Sequence, residues 1–352
     1  MKFDLNKLEF GLNTFGDLAY HDDRDELISY QESLQMLVKE AILADELNID
    51  ILALGEHHRK EYSVSSPDTV LAAISQVTKK IKLGTAVTVL SSDDPVRVYE
   101  RFATLDGLSG GRAQLMLGRG SFTESFPLFG YDLKDYHELF EEKIALLAQL
   151  LENKPVTWQG KFTQSLNNVQ VYPKLDHKLD VQVGVGGSPD SIIRAAKYGF
   201  PVMLAIIGGE PTRFKPYIEL YHRAAMQFKQ PLHPVGMHSH GVICETDQEA
   251  FAIANKYLRG AMNQIGKERG WTPMTQERFE YEVKYGAYYV GSVETVAQKI
   301  AKMIEAVGVQ RFDLIYGIGG HKQKDRFKTI ELYGKYVIPR VKKILKGSVK
   351  NG

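Results

Sequence analysis

The chain has 352 residues, with 44 Lys+Arg against 43 Asp+Glu, a formal net charge of +1. That balance leaves no electrostatic footprint for nucleic acid or an anionic membrane surface. Apolar residues make up 43% and charged residues 25%, a globular composition that excludes a disordered chain, and no apolar run of about 18 residues offers a membrane span.

The N-terminal residues Met1-Lys2-Phe3-Asp4-Leu5 carry an early acid and no apolar core, unlike a secretory signal. The single cysteine, Cys244, allows no internal disulfide and no multi-cysteine metal site. A reducing cytoplasm is the expected compartment, and no metal is expected.

Eight short runs, β-branched or apolar and without strict alternation, read as strands: 10–14, 51–54, 81–89, 113–117, 181–185, 201–206, 235–243 and 312–315. The pattern suits strands buried on both faces of a parallel sheet. Between them lie helical segments at 29–47, 67–79, 95–108, 135–151, 189–198, 211–228, 247–265, 293–306 and 326–344. In the first, Leu34, Leu37, Val38, Ala41, Ile42 and Ala44 recur with a period near 3.6 residues. The second opens on Ser66-Pro67-Asp68, a cap residue with proline at the first helical position, and the third opens similarly after Asp94.

Repeated strand–helix alternation predicts an α/β fold, a (β/α)₈ TIM barrel, with an open doubly wound sheet as the alternative. No linker-like shift in composition divides residues 1–352, which favours a single barrel domain carrying two inserts. One insert, 156–173, holds the hairpin-like turn Trp158-Gln159-Gly160-Lys161-Phe162. The other, 266–291, is polar and aromatic and reads as a candidate lid. The small, polar tail 346–352 is expected to fray.

In such a barrel, chemistry sits at the carboxyl ends of the strands. Three ends are unusual here. After Ile51-Leu52-Ala53-Leu54 comes Gly55-Glu56-His57-His58-Arg59, a dense titratable cluster. One imidazole facing the barrel mouth could act as acid, base or hydrogen-bond donor. The plainer alternative is backbone-satisfied histidines beside a Glu56–Arg59 loop ion pair. Adjacent strand histidines point to opposite faces, which argues against a shared metal.

The second end is Leu117-Gly118-Arg119-Gly120-Ser121, where glycines let the backbone approach a ligand beside a permanent cation. The third is Val185-Gly186-Gly187-Ser188-Pro189-Asp190-Ser191, a glycine turn into a capped helix, suited to an anion but also common as an ordinary turn. Asp190 would repel a phosphate unless it points outward. Together, Arg119 and this helix start read as a phosphate clamp. The small residues Gly84-Thr85-Ala86 leave room for a flat ring.

These motifs resemble the bacterial luciferase-like flavin monooxygenases. The resemblance runs through Ala53-Leu54-Gly55-Glu56-His57-His58, Leu83-Gly84-Thr85-Ala86-Val87, Leu105-Asp106-Gly107-Leu108-Ser109-Gly110-Gly111-Arg112 and Gly118-Arg119-Gly120. It continues in the Trp158–Phe162 hairpin, Gly186-Gly187-Ser188-Pro189 and Leu332-Tyr333-Gly334-Lys335-Tyr336-Val337-Ile338-Pro339.

The resemblance implies a barrel binding FMN at its carboxyl face, with reduced FMN and dioxygen oxygenating a small organic substrate. It places His57 beside the flavin as the catalytic group, with Glu56 and His58 supporting it. It sets Ala86 and Val87 along the ring, joined by a cis peptide. It gives Arg119, Ser188 and Ser191 to the phosphate, with Gly118 and Gly187 closing the cofactor site. A separate flavin reductase, a homodimer and a cytoplasmic location follow the same pattern. Gly118 stands where bacterial luciferase has cysteine, so light emission is not implied. Two alternatives stay open: hydride transfer from a deazaflavin on the same barrel, and a non-enzymatic flavin-binding barrel.

Overall fold

The computed structural model describes residues 3–120 and 122–351, with side chains as far as Ser348. Met1 and Lys2 of the N-terminal motif, Ser121 of the glycine–arginine turn and Gly352 of the tail lie outside the described residues.

The strands are β1 (Glu9–Thr14), β2 (Ile51–Leu54), β3 (Lys82–Thr85), β4 (Thr88–Val89), β5 (Ala113–Gly118), β6 (Val156–Trp158), β7 (Leu166–Val169), β8 (Asp180–Val185), β9 (Val202–Ala205), β10 (Gly236–Ile243), β11 (Tyr289–Gly291) and β12 (Arg311–Ile315). Parallel pairing runs β1–β2–β3–β5–β8–β9–β10–β12 and returns to β1, a closed ring of eight. The helices are α1 (Tyr30–Glu46), α2 (Pro67–Ser75), α3 (Pro95–Ser109), α4 (Ser125–Leu128), α5 (Tyr136–Leu150), α6 (Pro189–Lys197), α7 (Lys215–Gln227), α8 (Asp247–Lys256), α9 (Leu258–Arg269), α10 (Gln276–Lys284), α11 (Val293–Val307), α12 (Gln323–Leu332) and α13 (Ile338–Asn351). This is the (β/α)₈ barrel the alternation predicts. No helix among the described residues is long and apolar enough to cross a membrane.

Local chemistry sets the element ends. A capping box opens α1: Ser29 Oγ accepts the Glu32 N–H at 3.2 Å, and Glu32 accepts the Ser29 N–H at 2.8 Å. Asp94 caps α3 by accepting from Val96 and Arg97, and Gly110 ends it in the left-handed region at φ 66°.

Several predicted bounds are corrected. The strand 81–89 is two strands, β3 and β4, separated at Ala86–Val87, whose peptide is cis. The helix 247–265 breaks at Tyr257 into α8 and α9. The helix 211–228 begins as a 3₁₀ turn, Pro211–Phe214, before α7. The helix 326–344 starts earlier, at Gln323, and passes through a π turn, Tyr333–Val337, into α13. That helix continues to Asn351 where fraying was expected. Its apolar face keeps it docked, with Val341 and Leu345 fully buried. Residues 156–173 contain the antiparallel pair β6–β7. Residues 266–291 contain the end of α9, all of α10 and β11, which pairs with Gly241–Ile243 outside the ring.

The barrel is plugged at one end by polar side chains. Buried Arg311 forms a fork with Asp313 at 2.8 and 2.6 Å and also reaches Gln114, which Gln182 bonds at 2.9 Å. Gly11 has no room for a side chain there, because a Cβ would overlap the Asp313 carboxylate. These residues sit at the amino ends of their strands, so a ligand cavity must open at the other end.

A second buried pair ties the wall together. Arg326 on α12 and Glu40 on α1 are both fully buried, at 2.7 and 3.0 Å, and Tyr316 donates to Glu40 at 2.9 Å. Removing one partner strands a buried charge, which costs about 3–5 kcal/mol. Glu40→Ala should therefore lower the unfolding free energy by that amount, read as a fall in the urea midpoint at an unchanged denaturant slope; an unaltered midpoint would contradict this accounting.

Candidate active site

The carboxyl ends of the strands surround a cavity of about 390 Å³, within the size range of small-molecule sites. Missing side chains create it. At Gly55, just past β2, a Cβ would stand 2.5 Å from a ring carbon of Phe15. At Gly184 on β8 it would stand 2.8 Å from Val87, and at Gly118 on β5 it would overlap Val87 outright. Val87 therefore occupies the space that β5 and β8 leave, and forms one wall of the cavity with Ala86.

His57 also lines the cavity, inside a cage of aromatic rings. Phe15 and Phe122 meet it edge-on, with centroids at 5.1 and 5.0 Å, and Tyr62 lies tilted at 4.5 Å. Its Nε2 is buried without a hydrogen-bond partner. Burial, reinforced by neighbouring His58, Arg59 and Arg269, pushes its pKa from 6.5 down to about 3. The imidazole is therefore neutral at physiological pH and has one unmet hydrogen bond to give or receive.

Glu56 and His58 also line the cavity and hold each other, Nε2 to Oε1 at 3.0 Å. The other Glu56 oxygen accepts the Val89 N–H at 2.9 Å, fastening the end of β2 to β4. Both carboxylate oxygens are thus occupied, and the Glu56–Arg59 pair weighed from sequence is not the pairing observed. Arg59 instead bridges Glu124 at 2.9 Å and Glu268 at 2.6 Å, and lies over Phe122 at 4.6 Å.

The cavity's other end is cationic. The Arg119 guanidinium lies over the Tyr136 ring at 5.2 Å and reaches His137 at 3.1 Å and the Ser191 hydroxyl at 3.3 Å. Arg194 approaches the same hydroxyl at 3.5 Å while pairing with Glu141. Among the described residues Arg119 has polar and aromatic partners but no carboxylate partner. Gly187, at φ 99°, turns the chain into α6, and Ser188 precedes that helix without a side-chain cap bond. Those two stand behind Ser191 and do not line the cavity, whereas Gly118, Arg119 and Ser191 do. Asp190 points outward and is exposed.

Sequence reasoning did not single out two further histidines. His238 and His240 on β10 both line the cavity, as alternate residues of one strand must share a face. The His238-Ser239-His240 spacing was the available signal. His238 meets the Asn13 side chain at 2.8 Å. His240 leaves Nδ1 unpartnered and packs edge-on to Phe15 at 6.5 Å. Burial drives their pKa values down to about 4 and about 3. Phe122, Tyr136, Arg269 and Trp271 also reach the cavity, from positions that no periodicity marks. Arg119 gives one end a cation without a carboxylate partner, while apolar, aromatic and imidazole side chains make up most of the remaining wall, which suits a flat ring with an anionic tail.

A family model for luciferase-like monooxygenases matches residues 8–311. The alkanal monooxygenase alpha chain of Photobacterium leiognathi is 24% identical over 340 residues, covering 89% of this chain and 95% of that protein. Two solved structures share the fold. The oxygenating constituent of 3,6-diketocamphane monooxygenase from Pseudomonas putida, a Type II Baeyer–Villiger enzyme in complex with FMN, superposes with a TM-score of 0.75 at 19% identity, covering 95% and 98% of the two chains. An F420-dependent secondary alcohol dehydrogenase, bound to an F420–acetone adduct, gives 0.74 at 18%, covering 97% and 99%. With most of its length matched by the family model, the chain belongs to the luciferase-like monooxygenases.

Proposed function

We propose that this cavity binds FMN and that the enzyme uses reduced FMN and dioxygen to oxygenate a small organic substrate. The observation that carries the reading is the joining, in one cavity, of a guanidinium without a carboxylate partner at Arg119 and an imidazole at His57 whose Nε2 has no partner.

The residues fit that cofactor. Arg119 and Ser191 would hold the phosphate by charge-assisted hydrogen bonds, and the start of α6 at Gly187 and Ser188 adds the positive field of a helix end. Ala86, Val87 and Gly118 would form the wall beside the ring. The bound flavin supplies the electrons and the oxygen chemistry. His57 offers its Nε2 to a polar atom at the ring edge, as donor or acceptor but not as a cation. Phe15, Tyr62 and Phe122 exclude water around it, which protects a reactive reduced cofactor from side reactions. Glu56 and His58 hold that strand end in register.

The reading treats the chain as one barrel domain whose 266–291 segment serves as a lid, with Arg269 and Trp271 at its entrance bringing their side chains to the cavity. A separate reductase supplying reduced flavin, a homodimer and a cytoplasmic location accompany it on the strength of the family resemblance. Hydride transfer from a deazaflavin is the second reading, supported by fold likeness to the F420-dependent dehydrogenase.

Two outcomes test the assignment. Arg119→Gln should weaken FMN binding about 10-fold or more, the scale of a charged hydrogen bond, and change riboflavin affinity less than about twofold, since riboflavin lacks the phosphate. Equal losses for both ligands, measured by fluorescence titration, would contradict the phosphate role. His57 should show no protonation step between pH 8 and 5 in NMR of histidine-labelled protein. Its folded pKa lies below the unfolded value, so acid favours the unfolded chain, and its contribution destabilises the fold progressively as pH falls from 6.5 toward 3. A step near pH 6.5 would mean that water reaches the ring.

A further inference from the structure

A second cavity of about 380 Å³ lies beside the first and shares Tyr62 and Ile265 as walls. Tyr62 stands between them, with its ring against His57 on one side. Tyr20 and Tyr257 supply two more aromatic walls, their centroids 5.8 Å apart. Asp17 lines the same space and is only 5% exposed. One of its carboxylate oxygens accepts the Gly319 N–H at 2.9 Å; the other is buried without a partner. Glu61 adds a second carboxylate. Glu61 is held by Arg59 at 3.4 Å and by Gln264 at 3.4 Å, and Arg59 is shared with Glu124 and Glu268. Among the described residues, the Asp17 side chain has no such cation partner. Lys256 lies over the Tyr20 and Tyr257 rings and faces Asp25 at 3.8 Å.

We propose that this second cavity is the substrate site, and that it selects a ring compound carrying a hydroxyl or amino hydrogen-bond donor. The donor meets Asp17 and the ring lies among Tyr20, Tyr62 and Tyr257. The assignment rests on the FMN reading: with FMN in the first cavity, the second adjoins it across Tyr62, whose ring lies against His57. A buried acceptor with no donor is costly to leave unmet, which makes a donor on the ligand the natural complement. Aromatic walls favour a flat ring, and the unpaired Asp17 carboxylate disfavours an anion beside it.

The test uses four probes that share one skeleton: 4-ethylphenol, 4-ethylaniline, ethylbenzene and 4-ethylbenzoate. Each is titrated by saturation-transfer NMR into the full chain, with and without saturating FMN. The phenol and the aniline should bind equally well in both conditions. Ethylbenzene and ethylbenzoate should bind at least about 10-fold more weakly, the fold-change of one net hydrogen bond to a charged group. Gly260, which lines only this second cavity, has open space where a Cβ would stand. Gly260→Leu should weaken the phenol about 10-fold or more and leave FMN affinity within about twofold. Should that variant not fold, Asp17→Asn, of the same shape, should reduce the preference for the phenol over ethylbenzene. Competition between phenol and FMN, no preference for a donor, or unchanged phenol affinity in Gly260→Leu would overturn the proposal. A protein that binds the phenol selectively but no FMN would instead overturn the flavin reading.

Discussion

The site depends on three glycines at the carboxyl ends of the strands, Gly55, Gly118 and Gly184. Each lies where a side chain would collide with Phe15 or Val87. Close packing leaves interiors with little spare volume, so a cavity in a barrel must be made by omission. Omitting side chains on β5 and β8 lets Val87 come across the barrel mouth from the segment between β3 and β4. The cavity wall there is therefore set by one valine backed by bare backbone, an apolar surface rather than a set of polar groups. Any residue larger than glycine at 118 or 184 would push that wall into the cavity.

Polarity is distributed along the barrel in a consistent order. The amino ends of the strands hold fully paired charges, Arg311 with Asp313 and their glutamine partners. The outer wall holds Arg326 with Glu40. Both pairs satisfy themselves internally and leave nothing for a ligand. The mouth is different. His57 and His240 have buried nitrogens without partners, and Asp17 has an oxygen without one. Arg119 rests on a tyrosine ring, an imidazole and a hydroxyl. Buried polar groups are normally hydrogen-bonded; unpartnered atoms also occur elsewhere, at Asp106, His233 and Asn255 among others, but those of His57, His240 and Asp17 belong to residues that line a cavity. Arg59 links the two regimes: its carboxylate partners come from the loop after β5 and from α9, so it joins the rim of the site to the segment above it.

The barrel was legible in the sequence because its signal is periodic. All eight ring strands fall on predicted runs, and caps such as Ser29 and Asp94 mark helix starts by chemistry that acts over three residues. Elements set by tertiary contact were less legible. The break at Tyr257 comes inside an unbroken helical pattern, and α13 persists because Val341 and Leu345 find a core to bury in. At the site, His57, Arg119 and Ser191 could be read from strand-end position and residue type. The partners of Arg59 could not, since Glu124 and Glu268 are 65 and 209 residues away in the chain. Nor could the aromatics Phe122, in a loop, and Tyr136, at the first position of α5, which no apolar period singles out. His238 and His240 could have been found from their alternate spacing on a strand otherwise read only for its apolar content.

The central claim is that one mouth seats a flat ring beside His57 with its anionic tail at Arg119. A crystal structure of the protein soaked with FMN tests it most directly. The account predicts phosphate density bonded to the Arg119 guanidinium and the Ser191 hydroxyl, with the ring system between Val87 and His57. Flavin bound away from these residues, or Arg119 left on Tyr136 and His137 with no ligand beside it at saturating FMN, would contradict it.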